Sequence, residues 1–234
     1  MGKTPATRQL PLEFDHGSAS GRDDLIVSDR LNAAVAIVDR WPDWPSPVVI
    51  LAGPTGSGKS HIASIWASRV GATRVEIDKP DPMVLETAAQ GPVLIEDIDH
   101  AGFDETALFH LINAARENGN ALLITSRLWP AGWRVSLPDL ASRLKAATVV
   151  EIAEPDEELL AQVMVKLFAD RQVVVDDKII AWLVARMERS LAAARLVVTR
   201  LDQLALARGS KITRSLAAEV LAELDSGTSD MEVS

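Results

Sequence analysis

The sequence predicts an α/β fold, in which helices cover both faces of a parallel sheet and a small all-helical domain follows. Three observations predict it. Apolar runs typical of buried strands alternate with helical patterns as far as residue 152, and only helical patterns follow Pro155. Residues 53–60 match the phosphate-binding loop pattern G-x-x-x-x-G-K-[ST] at every required position, between an apolar run and a helix.

The elements predicted in the first part of the chain begin with a helix that Ser28 caps and that ends at residue 40. Three prolines between residues 42 and 47 then lead into a first strand at 48–52. The further predicted strands are 74–77, 93–95, 121–124 and 148–152, and the predicted helices between them are 61–70, 82–90 and 105–118.

The second part of the chain is helical by periodicity over residues 157–169, 176–188, 191–208 and 213–224. Ser190 and Thr213 are candidate N-caps there. We therefore expect a flexible tail at 1–21, an α/β domain at 22–154, a helical domain at 155–225 and a disordered tail at 226–234. A chain of 234 residues with 47% hydrophobic content can bury two such cores.

The loop at 53–60 predicts a site for a magnesium nucleotide. Glycines let the backbone turn its N–H groups toward a phosphate, and the helix that follows adds its positive N-terminal end. Lys59 should reach the β- and γ-phosphates, and the Ser60 hydroxyl is suited to ligate Mg²⁺. The candidate residues of this loop are Gly53, Pro54, Thr55, Gly56, Ser57, Gly58, Lys59, Ser60 and His61.

Two further strands end in polar residues. Glu96 and Asp97 follow the buried run 93–95, a parallel strand that we expect to neighbour the phosphate loop, so that one carboxylate can hold the Mg²⁺ shell and another can orient water. Thr125 and Ser126 end the fourth strand, where a hydroxyl could lie near a γ-phosphate. On spacing alone, a strand that simply stops in a polar turn is as good an explanation.

Composition excludes several classes of function. The net charge of −9 and the pI near 5.0 argue against a broad basic surface for nucleic acid. The chain has no cysteine, so disulfides and thiolate chemistry are excluded, which suits a cytoplasmic protein. No apolar run approaches the roughly 20 residues of a membrane span, and we expect no membrane association.

The tail contains an apolar island at residues 9–14, where Leu10, Leu12 and Phe14 alternate beside Gln9. An extended backbone would place these three side chains on one side, and Pro11 disfavours a helix interior. The segment is therefore a candidate docking peptide. The alternative is that it packs on the edge of its own domain.

Taken in order, the phosphate loop, the acid-ended strand, the polar-ended strand, an arginine-bearing segment and a helical lid resemble an AAA+ ATPase of the DnaA-related group. Segments 8–14, 59–61, 138–144 and 201–204 narrow the resemblance to the Hda-type regulators of replication initiation. The similarity spans about residues 8 to 224. It implies two partners, DnaA and the DNA polymerase III β sliding clamp, and allows a homo-oligomer.

The resemblance also implies roles for individual residues. Glu96 and Asp97 correspond to the Walker B pair, and Thr125 and Ser126 to sensor 1. Arg143 falls at the arginine finger, which acts in trans on a partner, and Arg195 at sensor 2. The remaining implied contacts are Leu25 and Ile26 against the adenine of ADP or ATP, and Gln9, Leu10, Leu12 and Phe14 on the clamp.

Two departures from the family pattern modify these expectations. Glu96 stands where the family's usual residue is Asp, so that hydrolysis at the chain's own site is expected to be weak. The sequence after the lid leaves no room for a helix-turn-helix domain, so we expect no sequence-specific DNA binding. Two alternatives stay open: a helicase-loading or motor ATPase on single-stranded DNA, and a small-molecule kinase, which the same loop would serve.

Overall fold

A computed structural model describes residues 29–78, 82–100 and 102–231 of the chain. Its helices are α1 Asp29–Asp39, α2 Lys59–Val70, α3 Pro82–Gln90, α4 Glu105–Glu117, α5 Pro138–Lys145, α6 Glu157–Asp170, α7 Asp177–Val184, α8 Leu191–Arg208 and α9 Arg214–Met231. Its strands are β1 Val48–Ala52, β2 Thr73–Arg74, β3 Val93–Ile95, β4 Leu122–Ser126 and β5 Thr148–Glu151. A short 3-10 helix lies at Pro130–Gly132.

The five strands form one sheet in the order β2-β3-β4-β1-β5, and every neighbouring pair is parallel. All strands therefore end at the same edge. Strand β4 lies between the acid-ended strand β3 and the loop strand β1. The register pairs Leu51 with Thr125 and Ile95 with Ile124. Consequently, the end of β4 separates the loop from the acids.

Both faces of the sheet are covered, as the sequence predicts. Alternate residues of β1 point to opposite sides: Val49 and Leu51 pack with α1 and α2, while Val48 and Ile50 pack with α3, α4 and α5. These strand residues are fully or almost fully buried. Near-continuous apolar strands are what a doubly covered parallel sheet requires.

A third apolar cluster is built from α6 to α9 and includes Phe168, Leu183, Leu201 and Val220. The predicted N-caps of two of these helices are confirmed. Ser190 Oγ accepts from the N–H of Ala193 at 3.0 Å, and Thr213 Oγ1 from that of Leu216 at 3.3 Å. The division between the α/β and helical domains at residue 154 stays a prediction.

Three predicted elements end three or more residues away from their predicted boundary. Strand β2 covers only Thr73–Arg74 instead of 74–77 and pairs with β3 alone. Helix α7 ends at Val184 instead of 188. Helix α9 continues to Met231, through most of the tail predicted to be disordered at 226–234. That segment contains no proline, and extending an existing helix is easier than starting one.

Some predicted features lie outside the described residues. They are the tail 1–21 with Gln9, Leu10, Leu12 and Phe14, the adenine contacts Leu25 and Ile26, and the Ser28 cap. Among the helices that are described, none is long and apolar enough to cross a membrane.

Candidate functional site

The loop after β1 has a shape that only glycine permits. Gly53 donates its N–H to the Ser126 carbonyl at 3.1 Å. A Cβ atom at residue 53 would lie 2.1 Å from the Ile152 carbonyl oxygen. Gly56 has a φ of +75°, and Gly58, the residue before α2, has a φ of +103°. The backbone therefore turns twice through the left-handed region before the helix begins.

Helix α2 presents its N-terminus to this loop. The first helical hydrogen bond runs from the N–H of Ile62 to the Gly58 carbonyl at 3.1 Å. The N–H groups of Lys59 and Ser60 precede it and have no helical acceptor. Such groups, together with the helix dipole, attract anions.

Lys59 is buried in the loop, with 4% of its surface exposed. Its Nζ donates to the carbonyl oxygens of Gly53 at 2.8 Å and Pro54 at 2.7 Å. Burial lowers the pKa of the ammonium, and the nearby carboxylates of Asp97 and Asp99 partly offset that effect. A bound phosphate would supply the negative charge that this buried cation favours.

A second observation, the state of the Ser57 hydroxyl, also fits a phosphate bound in this loop. The Ser57 hydroxyl is buried, and among the described residues it has no hydrogen-bond partner. A buried hydroxyl without a partner is unfavourable unless a ligand or water meets it. Thr55 and Ser60 are exposed beside it, so the Ser60 hydroxyl is open to a metal ion.

The helical part of the chain closes against this loop. The Leu191 N–H, in the first turn of α8, donates to the Gly56 carbonyl at 2.8 Å. A Cβ atom at residue 58 would lie 3.1 Å from the Leu191 side chain. The start of α8 is thus in direct contact with the phosphate loop. Sequence reasoning predicted the Ser190 cap but gave no signal for this contact, which joins residues more than 130 positions apart.

The two predicted Walker B carboxylates point to different neighbours. Glu96 pairs with Arg74 of β2 at 3.0 Å, on the side of β3 away from β4. Asp97 is exposed, with a φ of +46°, and its N–H donates to Thr125 Oγ1 at 2.8 Å. A left-handed aspartate is uncommon and is held here by that hydrogen bond. Of the two acids, Asp97 is the one whose charge acts on Lys59.

The two predicted sensor 1 residues are fully buried. Ser126 Oγ donates to the Leu128 carbonyl at 2.7 Å and accepts from Trp133 Nε1 at 2.9 Å. Thr125 Oγ1 accepts the Asp97 N–H already described. Both hydroxyls thus hold the turns that follow β3 and β4.

Two residues that sequence reasoning did not assign to the site lie beside these turns. Asp99 accepts the backbone N–H groups of Arg127 at 3.0 Å and Leu128 at 2.8 Å. Burial alone would raise the pKa of Asp99, but these backbone hydrogen bonds hold it below its usual range. The Arg127 guanidinium donates to His100 Nδ1 at 2.7 Å. The sequence feature that could have identified Asp99 and Arg127 is their position just after the ends of predicted strands.

Arg143 and Arg195 are placed on two different helices. Arg143 lies on α5, whose Leu140 and Leu144 are buried, and its side chain makes no hydrogen bond or ion pair with the part of the chain that the structure describes. Arg195 lies on α8, one helical turn after Leu191 and on the same face. Its side chain is exposed, yet surrounding protein lowers its pKa by desolvation.

A magnesium site made by the protein alone is not present in the described ranges, where no cluster of three or more metal-ligating side chains occurs. Magnesium bound with a nucleotide needs only one or two protein ligands, because phosphates and waters supply the others. Ser60 and Asp97 fit that requirement.

Solved structures of similar fold include domain III of the replication initiation protein DnaA from Thermotoga maritima, with a TM-score of 0.71 and 16% identity, covering 92% of this chain and 98% of that one. The RuvB Holliday junction branch migration motor of the same organism has a TM-score of 0.66 and 16% identity, with 88% and 72% covered. AMPPCP-bound DnaA from Aquifex aeolicus has a TM-score of 0.65 and 16% identity, with 80% and 66% covered. The sequence matches no protein-family model, and a search of curated proteins finds no match.

The phosphate loop, the parallel sheet and these neighbours define the fold as that of the AAA+ P-loop ATPases. More narrowly, it is related to the fold of DnaA, whose domain III it matches over almost its whole length.

Proposed function

We propose that this chain binds ADP or ATP with Mg²⁺ in the loop between β1 and α2. The observation that carries the proposal is the buried Lys59 ammonium, which rests on two loop carbonyls beside glycines that admit no side chain. Bound phosphates would supply the negative charge that stabilises this buried ammonium. The AMPPCP bound to a DnaA of the same fold supports a nucleotide in this place.

Each residue has a role in this proposal. Lys59 and the first N–H groups of α2 bind the phosphates, Ser60 holds Mg²⁺, and Asp97 orients its water shell. When bound, the magnesium nucleotide would supply the phosphoanhydride bond that AAA+ ATPases hydrolyse. Arg195 reads the phosphates from the helical side, because α8 reaches the loop through Leu191. Leu25 and Ile26 contact the adenine, as the family resemblance implies.

We further propose that the chain is a regulator of the Hda type, which promotes ATP hydrolysis on DnaA. Arg143 supports this role because α5 buries its leucines and leaves the guanidinium without a partner among the described residues. An arginine inserted beside a partner's γ-phosphate stabilises charge that develops in the transition state. In this proposal, Gln9, Leu10, Leu12 and Phe14 dock the chain on the β sliding clamp.

The nucleotide proposal is tested by titrating Lys59→Ala with ADP and with ATP in the presence of Mg²⁺. Losing a buried charge-assisted contact to phosphate should weaken both affinities at least about tenfold. Lys211→Ala is the matched control, since Lys211 is an exposed lysine that makes no hydrogen bond with the described residues. Equal affinities of Lys59→Ala and the parent would refute nucleotide binding in this loop.

A motor or helicase-loading ATPase is the second candidate. It is favoured by the structural similarity to RuvB and by the exposed Asp97 carboxylate beside the loop. The two candidate functions differ in which protein holds the ATP that is hydrolysed. A motor turns over ATP when isolated and faster with single-stranded DNA, whereas a regulator shortens the life of ATP bound to DnaA.

A further inference from the structure

Three cationic residues gather near one tryptophan in the helical part of the chain. Trp182 lies on α7, and the Arg186 guanidinium, just after the end of that helix, is 4.7 Å from the centre of its ring. The guanidinium of Arg214, the first residue of α9, is 5.3 Å from the ring centre. Lys178 is four residues before Trp182 on α7, about 6 Å along the axis and on the same face. We call these four residues the basic tryptophan patch.

The cations of this patch have no carboxylate partner. Lys178, Arg186 and Arg214 are exposed, and none of them makes an ion pair with the described residues. The Arg186 guanidinium donates to the Trp182 carbonyl at 3.2 Å, which orients the cation without neutralising it. Four other arginines of the helical part are each paired with a carboxylate: Arg171 with Asp202, Arg189 with Glu157, Arg200 with Glu223 and Arg208 with Glu219.

The patch is therefore a positively charged surface on an acidic protein. The chain has 33 acidic and 24 basic side chains, so carboxylates are numerous enough to pair with every cation. An arginine held over an aromatic ring keeps its charge, and its planar fork keeps donors for a carboxylate. Cations that stay unpaired under these conditions are available to an external anion.

Trp182 supports both arginines and leaves little room for a nucleic acid base. Its side chain packs against the apolar cluster of α6 to α9, and its Nε1 atom is buried without a hydrogen-bond partner among the described residues. The two guanidiniums lie over the ring, on the surface where a base would stack. A carboxylate needs the arginines and not the ring, so this arrangement favours carboxylates over bases.

We propose that the basic tryptophan patch binds an acidic segment of a partner protein, whose Asp or Glu side chains pair with Lys178, Arg186 and Arg214. Side chains on one side of an extended peptide repeat about every 7 Å, close to the rise of about 6 Å between residues four apart on α7. Alternate acids of such a segment can therefore reach successive cations. The proposal does not depend on the nucleotide site.

The test measures binding of a fluorescently labelled peptide of ten glutamates to the full chain by fluorescence anisotropy. Salt at about 0.1 M limits the Debye length to about 10 Å, so that the peptide senses the patch more than the net charge of the chain. Replacing Arg186 and Arg214 together by glutamine should weaken binding about fivefold or more, and Lys178→Gln about twofold. The Lys178 side chain makes no hydrogen bond or ion pair with the described residues, so Lys178→Gln should keep the melting temperature of the parent.

Replacing Arg200 and Arg208 together by glutamine is the matched control. It removes the same charge from the same helices, but both arginines are already paired with glutamates, so the peptide affinity should change less than about twofold. Equal losses in the two double variants overturn the proposal, because the peptide then responds to charge alone.

Three further outcomes also overturn it. The first is a parent protein that does not bind the peptide. The second is tighter binding of a thymidine decanucleotide than of the peptide, which makes the patch a nucleic acid surface. The third is a lower melting temperature of the Arg186 and Arg214 double variant together with an unchanged affinity of Lys178→Gln, which shows that the arginines only stabilise the fold.

Discussion

Gly56 of the phosphate loop and Ser190 at the start of α8 approach each other so closely that a Cβ atom at residue 56 would lie 2.2 Å from the Ser190 Cβ. The neighbouring Leu191 N–H donates to the Gly56 carbonyl at 2.8 Å. The loop that would hold phosphates and the helix that carries Arg195 are therefore packed as one unit. A substitution at this contact should therefore affect both the phosphate loop and α8.

Gly56→Ala should disrupt this contact. We expect a loss of stability of about 2–4 kcal/mol, from the left-handed backbone and from displacement of α8, together with weaker nucleotide binding. Gly71→Ala is the matched control, since Gly71 has a similar φ of +69° but no atom within 4 Å of the added Cβ. It should cost only about 1–2 kcal/mol and leave nucleotide affinity unchanged. Equal behaviour of the two variants in thermal unfolding and titration would contradict the importance of the contact.

Arg143→Ala should lower hydrolysis of DnaA-bound ATP by orders of magnitude, as arginine fingers contribute factors of about 10³ to 10⁵ in other systems. The assay counts the ATP remaining on DnaA in the presence of clamp loaded on DNA. Lys145→Ala, two residues farther along α5 and exposed, is the control and should behave as the parent. Arg195→Ala should differ from both by weakening nucleotide binding to this chain. Undiminished hydrolysis with Arg143→Ala would shift the assignment to the motor class.

Asp99→Asn should destabilise the protein at neutral pH by about 1 kcal/mol, since the carboxylate is partly exposed and its hydrogen bonds are worth less than buried ones. The folded pKa of Asp99 lies below the ordinary value of about 3.9. Its contribution to stability is therefore complete above that ordinary value and is lost as the pH falls through the folded pKa.

The difference in unfolding free energy between parent and Asp99→Asn should thus shrink below about pH 4. Denaturant unfolding at pH 7 and at pH 3 measures it. Asp139→Asn, an exposed aspartate on α5, serves as the control. A difference that stays constant over this range would show that the carboxylate charge at residue 99 does not matter.

Replacing Gln9 and Leu10 together by alanine should abolish binding to the sliding clamp and leave the melting temperature unchanged. Apolar anchors dominate the affinity of short docking peptides, so losing one of them together with the neighbouring glutamine removes most of the interaction. Replacing Thr4 and Thr7 by alanine, outside the peptide, should preserve clamp binding. If the Gln9 and Leu10 variant instead melts at a clearly lower temperature, the segment packs on its own domain.

Local sequence signals were sufficient for much of the fold. The strand, glycine loop and helix around Lys59, the bounds of α3 and β3, and the caps Ser190 and Thr213 all depend on neighbouring residues and were predicted correctly. The parallel sheet covered on both faces also followed from the alternation of strands and helices. These features need only periodicity and capping chemistry.

Long-range features could not be obtained in this way. The insertion of β4 between β1 and β3 depends on strand pairing, for which buried apolar runs of similar composition give no preference. The directions of the Thr125 and Ser126 hydroxyls depend on Asp97 and Trp133, which lie elsewhere in the chain. Arg127 directly follows Thr125 and Ser126 in the sequence. Only its contacts with Asp99 and His100 in the structure distinguish it from an ordinary exposed arginine.

The hydrogen bond from Trp133 Nε1 to Ser126 Oγ has an optical consequence. The chain contains six tryptophans and no tyrosine, so its ultraviolet emission comes from indole alone. Trp133 is buried and tied to the last residue of β4, which in turn accepts the Gly53 N–H at the beginning of the phosphate loop. A shift of that strand end alters the polarity around this indole, and the protein thus carries its own fluorescent reporter beside the loop.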